Sequence, residues 1–186
     1  MTPIPLGILD FPTAAGAYDL LETQVLTSSA ASVTFTGLDS FSDYENLQIR
    51  AVARRDLATT GNYNVEIVLN NDTGNNYAYH YLQGNGSSVT SSRGTSTDDI
   101  LILDWMPSGN ETANAFGAAI IDILDFSSSS KNTTIRALAG ANTSNNEIGL
   151  YSGLYNSTDA VTEVRLEIFG SSNFVTGSRF SLFGVR

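Results

Sequence analysis

The sequence predicts an all-β protein: one antiparallel β-sandwich, jelly-roll-like, with an extended N-terminal arm. Two observations carry the sandwich. Apolar residues recur with period two while helical periodicity is nearly absent, and turn-forming clusters separate the runs at short, even intervals. A third carries the arm: Pro3, Pro5 and Pro12 stand among Ile4, Leu6, Ile8, Leu9 and Phe11 with hardly a charge between them.

The arm is expected over residues 1–19 and a single domain over 20–186. Proline bars both central strands and helix interiors, so the N-terminal stretch reads as extended chain. Its side chains Ile4, Leu6, Ile8, Leu9 and Phe11 are candidate anchors, either across a neighbouring subunit or along the arm's own sandwich. Strands follow at Ser32 to Thr36 and at Leu47 to Arg54, where Leu47, Ile49, Ala51 and Ala53 share one face. Val65, Ile67 and Leu69 repeat the alternation, and Tyr77 to Leu82 has the form of a strand between two turns. Asn114 to Phe126 contains Ile120, Ile121 and Ile123, which favour a long central strand covered on both sides. Val161 to Ile168 and Phe180 to Val185 close the chain. About ten short strands at this spacing indicate a sandwich and not a βαβ fold.

Composition excludes several classes. With 186 residues and 41% hydrophobic content the chain can bury a core without staples. No cysteine is present, which removes disulfides and cysteine-ligated zinc. The formal net charge of −10 argues against nucleic acid, because phosphate binding needs a basic face. No apolar run reaches the length of a membrane span, and the first residues lack the basic start of a secretory signal. Six N-x-[ST] sequons reflect abundant Asn, Ser and Thr.

Asn70 to Asn76 carries one carboxylate, Asp72, and lacks the later glutamate of a calcium loop; it reads as a hairpin turn. His80 is the only histidine, which removes multi-histidine metal sites and leaves a serine triad without a nucleophile motif. It shares a strand face with Ala78 and Leu82, as expected of a core residue. Tyr77, Tyr79 and Tyr81 share the other face and suit a subunit contact, a solvent-side ladder or a sugar-stacking surface. Trp105, the only tryptophan, is placed in a loop as an interface anchor, a sugar platform or simple packing. Asp122 and Asp125 point to opposite faces of a strand and so do not form the shared cleft of a glycosidase. Catalytic residues, cofactor and metal are expected to be absent.

The succession PLGIL, SSAASVTFTGLDSFSDYENLQIRAVAR, LNNDTGNNYAYHYLQGNGSS, FGAAIIDILDFSSSSKNTTIRAL, EIGLYSGLYNSTDAVTEVRLEI and NFVTGSRFSLFGVR resembles a family of tailed-bacteriophage virion structural proteins. The likeness runs along essentially the whole chain. It implies a location on the virion and a non-enzymatic, structural role. The expected function is that of a capsid decoration or cement protein on the outer capsid, self-associating as a homotrimer and bridging capsomers of the major capsid protein. The alternative is a tail or head-fibre adhesin that binds a host surface glycan.

Overall fold

A computed structural model describes residues 16–144 and 146–186. The twelve strands are β1 (Tyr18–Val25), β2 (Ser32–Thr36), β3 (Asn46–Ala53), β4 (Asn62–Leu69), β5 (Tyr77–Gly84), β6 (Val89–Thr97), β7 (Ile100–Pro107), β8 (Gly117–Leu124), β9 (Thr133–Ala141), β10 (Glu147–Tyr155), β11 (Glu163–Ile168) and β12 (Arg179–Val185). One 3-10 turn, Leu38–Phe41, joins β2 to β3.

The strands form two antiparallel sheets. The larger runs β1-β12-β3-β8-β9-β10-β5-β6, the smaller β2-β11-β4-β7. Removing the hairpins β5–β6 and β9–β10 leaves two four-stranded sheets, β1-β12-β3-β8 and β2-β11-β4-β7. That is the double Greek key of a jelly roll. The two hairpins are insertions that double the width of one sheet.

Period-two alternation sets the core. Leu47, Ile49, Ala51 and Ala53 of β3 face Val33 and Phe35 of β2, Val65, Ile67 and Leu69 of β4, and Val164 and Leu166 of β11 within one buried cluster. Ala119, Ile121 and Ile123 continue that inner face on β8. The inserted hairpins extend the inner face with aromatic residues. Tyr77 and Tyr155 are buried there, and the Tyr151 hydroxyl donates to the Leu103 carbonyl of β7 at 2.7 Å. Because β7 is an edge of the smaller sheet, this contact occupies a carbonyl that edge pairing leaves free.

Several expectations are corrected in detail. The arm boundary at residue 19 is too late, because Tyr18 and Asp19 already pair with Val185 and Gly184. β8 is the expected central strand, but its outer face is open: Ile120 is 43% exposed. Trp105 lies within β7 and not in a loop. The physical reason is an irregularity in the β4–β7 ladder between Tyr63 and Val65. There Asp104 takes a left-handed φ of 51° and its N–H is held by Asn64 Oδ1 at 3.0 Å. Across this break the partners step from Val65↔Ile102 to Tyr63↔Met106, two residues on β4 against four on β7, so the simple alternation of β7 is interrupted. Trp105 therefore joins Ile100 and Ile102 in the core.

Candidate interaction surface

The Asn70 to Asn76 turn and the tyrosine strand are architectural. The Gly74 N–H donates to Asp72 Oδ1 at 2.8 Å and Asn76 Nδ2 donates to Asp72 Oδ2 at 2.9 Å, which closes the turn locally. These bonds, led by the one from Gly74, hold the Asp72 carboxyl below its usual range. The Tyr77 hydroxyl accepts the Leu69 N–H at 3.0 Å and directs its hydrogen toward the Leu69 and Asp72 carbonyls, each 3.0 Å away. Tyr77 is 2% exposed, and Tyr79 and Tyr81 are half-buried against the core. The three tyrosines occupy the inner face, so Tyr77 does not present the subunit contact expected of it. His80 is the opposite case: expected in the core, it is exposed on the outer face. Both placements follow from one register, since successive side chains of a strand take opposite faces.

Trp105 is fully buried and offers no ring face to a sugar or a partner. Asp122 and Asp125 are separated as expected. Asp122 accepts from Gln48 and Arg136 on the outer sheet face, whereas Asp125 pairs with Lys131 at 3.0 Å at the strand end. Asp104 accepts from Gln83 Nε2 at 3.0 Å. Among the described residues no group of three or more His, Asp or Glu side chains is placed to hold a metal ion, and no helix is long and apolar enough to cross a membrane. The arm anchors Ile4, Leu6, Ile8, Leu9 and Phe11 lie outside the described residues.

The feature that stands out is the outer face of the larger sheet. Cross-strand register places Ile120 opposite Leu138, Leu138 opposite Leu150, and Leu150 opposite Leu82. Four strands thus contribute one unbroken apolar row, roughly 14 Å long at the usual strand separation. All four side chains are solvent-exposed, as are Ile148 and Val89 in the neighbouring row. That second row reads Ala118, Gly140, Ile148, Gly84, Val89. Glycine at 140 and 84 lowers the surface between the larger side chains and leaves two shallow grooves. One, of about 500 Å³, is lined by Ile120, Leu138, Gly140 and Ile148; the other, of about 280 Å³, by Leu82, Val89, Leu138, Ile148 and Leu150. They share Leu138 and Ile148 and so form one continuous depression.

A polar row borders the apolar one. Gln48, Asp122, Arg136, Ser152, His80 and Arg93 follow one another across six strands. Gln48 Nε2 donates to Asp122 Oδ1 at 2.7 Å, Arg136 donates to Asp122 Oδ2 at 2.8 Å, and Arg50 Nε donates to Gln48 Oε1 at 2.8 Å. Arg50 is also held between the rings of Tyr18 and Phe183, 4.9 and 4.4 Å from their centroids. The charges at this edge are therefore largely committed to one another, while the adjacent aliphatic side chains stay exposed among the described residues. Hydrophobic side chains gathered on one exposed face mark a contact surface in soluble proteins.

Sequence reasoning missed this surface. The available signal was the double alternation in Glu147–Tyr155, where Ile148, Leu150 and Leu154 occupy one face and Tyr151 and Tyr155 the other. A strand apolar on both faces needs cover on both sides.

No family model matches the chain, and no curated protein matches it. Among solved structures it is similar to the binding domain of botulinum neurotoxin DC in complex with SialylT, at 12% identity and a TM-score of 0.25. The match covers 87% of this chain and 42% of that one, so this chain spans less than half the length of that structure. Likeness at this level carries no argument about function.

Proposed function

We propose that the protein is a structural component of a bacteriophage particle, a capsid decoration or cement protein that bridges capsomers on the outer shell. The observation that supports this reading is the apolar row Ile120–Leu138–Leu150–Leu82 on the open face of a wide, rigid sheet. A cement protein acts by permanent contact, and permanent contacts are made by extended apolar faces more than by polar pockets. Fully burying a Leu or Ile side chain is worth roughly 1.5–3 kcal/mol. Side chains already half-covered by the sheet would each contribute about 1 kcal/mol more on association. Self-association, as a homotrimer, and contact with the major capsid protein belong to the same reading, as does a non-enzymatic role.

The test uses undecorated shells. Purified protein is expected to co-sediment with them and to raise their melting temperature. Copy number in virions, measured by quantitative mass spectrometry against the major capsid protein, is expected in the hundreds. Failure to bind shells would overturn the cement role, and about a dozen copies per particle would move the protein to the tail or a vertex.

A second reading, a tail or head-fibre adhesin for a host surface glycan, is favoured by a different observation. A groove of about 490 Å³ on the same face brings His80, Arg93, Thr95, Thr134 and Ser152 together beside Ala78 and Leu154. The Arg93 guanidinium beside three hydroxyl groups suits an acidic sugar. Silence on a glycan array, with normal host adsorption of particles lacking the protein, would remove it.

A further inference from the structure

We infer that the apolar depression on the outer face of the larger sheet is the seat of the N-terminal segment Pro3 to Phe11 of a second copy of this chain. The inference rests on the assembly role proposed above and names the contact that would carry it.

Three properties of the segment match the face. The first is spacing. In an extended chain Ile4, Leu6 and Ile8 fall on one side and span roughly 13 Å, against roughly 14 Å for the row from Ile120 to Leu82. The second is hydrogen bonding. Pro3, Pro5 and Pro12 lack the N–H that a sheet edge would demand, but a sheet face offers side-chain contact without ladder bonds, so nothing is lost there. The third is charge. Asp10 is the only charged side chain before Tyr18, and the apolar rows carry none. An aliphatic segment on an aliphatic face buries no unpaired ion, and Asp10 at its C-terminal end can reach Arg50 or Arg136 beside the row.

The course of β1 assigns the segment to a neighbour. Tyr18 pairs with Val185, and Arg186 N–H still reaches the Ala17 carbonyl at 3.4 Å. The chain therefore holds the line of the β1 ladder up to residue 17. Register carries Tyr18 through Val185 and Asn46 to Leu124. Leu124 lies four residues, roughly 13 Å, from the row of Ile120. At residue 17 the described chain therefore stands at the end of the sheet away from the apolar row. Reaching its own face would require a reversal and a diagonal crossing over β12 and β3, past the side chains of Phe183 and Arg50. Reaching the face of an adjacent copy requires neither. The sixteen residues 1–16 span up to roughly 50 Å when extended, enough to cross to a neighbour. Exchange of an identical element between copies also closes symmetric assemblies.

The absence of native cysteine makes a clean test. Copies carrying Ile8→Cys are mixed with copies carrying Leu150→Cys, oxidised, and run on a non-reducing gel. A disulfide joining an Ile8→Cys copy to a Leu150→Cys copy in the mixture, absent when the second cysteine is placed instead at Thr23 on the far edge strand, is the expected result. No dimer would overturn the inference, as would a cross-link confined to single chains that carry both substitutions. Sedimentation of the deleted chain gives a second reading: a monomer is expected, and an unchanged oligomer would overturn the inference. Shell binding is scored separately. Cross-linked copies that fail to bind shells would leave this contact standing and remove the cement role; shell binding without cross-links would do the reverse.

Discussion

The ring of Tyr77 stacks on that of Tyr155, with centroids 4.9 Å apart and planes 23° from parallel. Both strands bearing these residues belong to the inserted hairpins, and the Tyr77 hydroxyl ends on the β4 backbone at Leu69. The pair thus ties the widened part of the larger sheet to the smaller one. Tyr77→Phe removes the hydroxyl and leaves the buried Leu69 N–H without this partner, a cost of about 1–3 kcal/mol. Tyr77→Ala also opens a cavity and is expected to cost about 3–5 kcal/mol. Urea unfolding of the two variants checks both the order and the spacing of the effects.

Gly117 begins β8 where a β-carbon would sit 1.7 Å from the Trp105 carbonyl oxygen. That neighbour is backbone and cannot swing aside. Gly117→Ala is expected to cost at least about 3 kcal/mol, the upper end for overpacking. At Gly94 the obstructing atoms belong to the Tyr79 ring, 2.6 Å away. A side chain can rotate, so Gly94→Ala should cost less. Thermal unfolding of the two variants side by side reads the difference.

Arg54 is a buried hub. Its Nη1 donates to the carbonyls of Thr112 and Ala115, and its Nη2 to those of Gly109 and Glu111, all at 2.8–2.9 Å. One guanidinium therefore shapes the whole β7–β8 connection. Arg54→Met strands several carbonyls and should cost more than about 3 kcal/mol. Arg54→Lys is expected to recover only part of this, because an ammonium lacks the planar fork. Hydrogen exchange should show residues 109–115 opening first in both.

Acid is expected to stabilise the protein. Burial, then the charge of Asp99, pushes the Glu66 carboxyl up to about 7; burial, then Asp98, pushes Asp99 up to about 6. Burial, then Asp104, pushes Glu147 up to about 7. Each folded value lies above the unfolded one, so the folded state holds protons that the unfolded chain has released. Stability from these groups is full below the unfolded carboxylate range and is lost as pH rises toward 7. The melting temperature should be higher at pH 5 than at pH 8, and Glu66→Gln should flatten the slope. An increase toward pH 8 would contradict the assignment.

Leu150→Ser and Ile148→Ser change exposed side chains and should alter the stability of the isolated domain by no more than about 0.5 kcal/mol. Ile121→Ala, one residue from Ile120 but on the inner face, should cost about 2–5 kcal/mol. The two serine variants are instead expected to weaken self-association, measured by sedimentation.

The sequence by itself determined that this protein is a jelly-roll-like sandwich, because period-two alternation and turn chemistry are local. Leu47, Ile49, Ala51 and Ala53 show their shared face without reference to any other strand, and Asp72 closes its turn with neighbours two and four residues away. Only the tertiary structure decided which face was which. Tyr77 and His80 alternate legibly, yet their inward and outward senses depend on β10 and on the small-sheet edge that Tyr77 meets. Trp105 turned inward because a bulge at Asp104 shifted the register, and a bulge is fixed by the opposing strand. The row Ile120–Leu138–Leu150–Leu82 gathers residues from four strands that span 69 sequence positions. Their adjacency is a product of strand order and register, quantities that no single stretch of chain encodes.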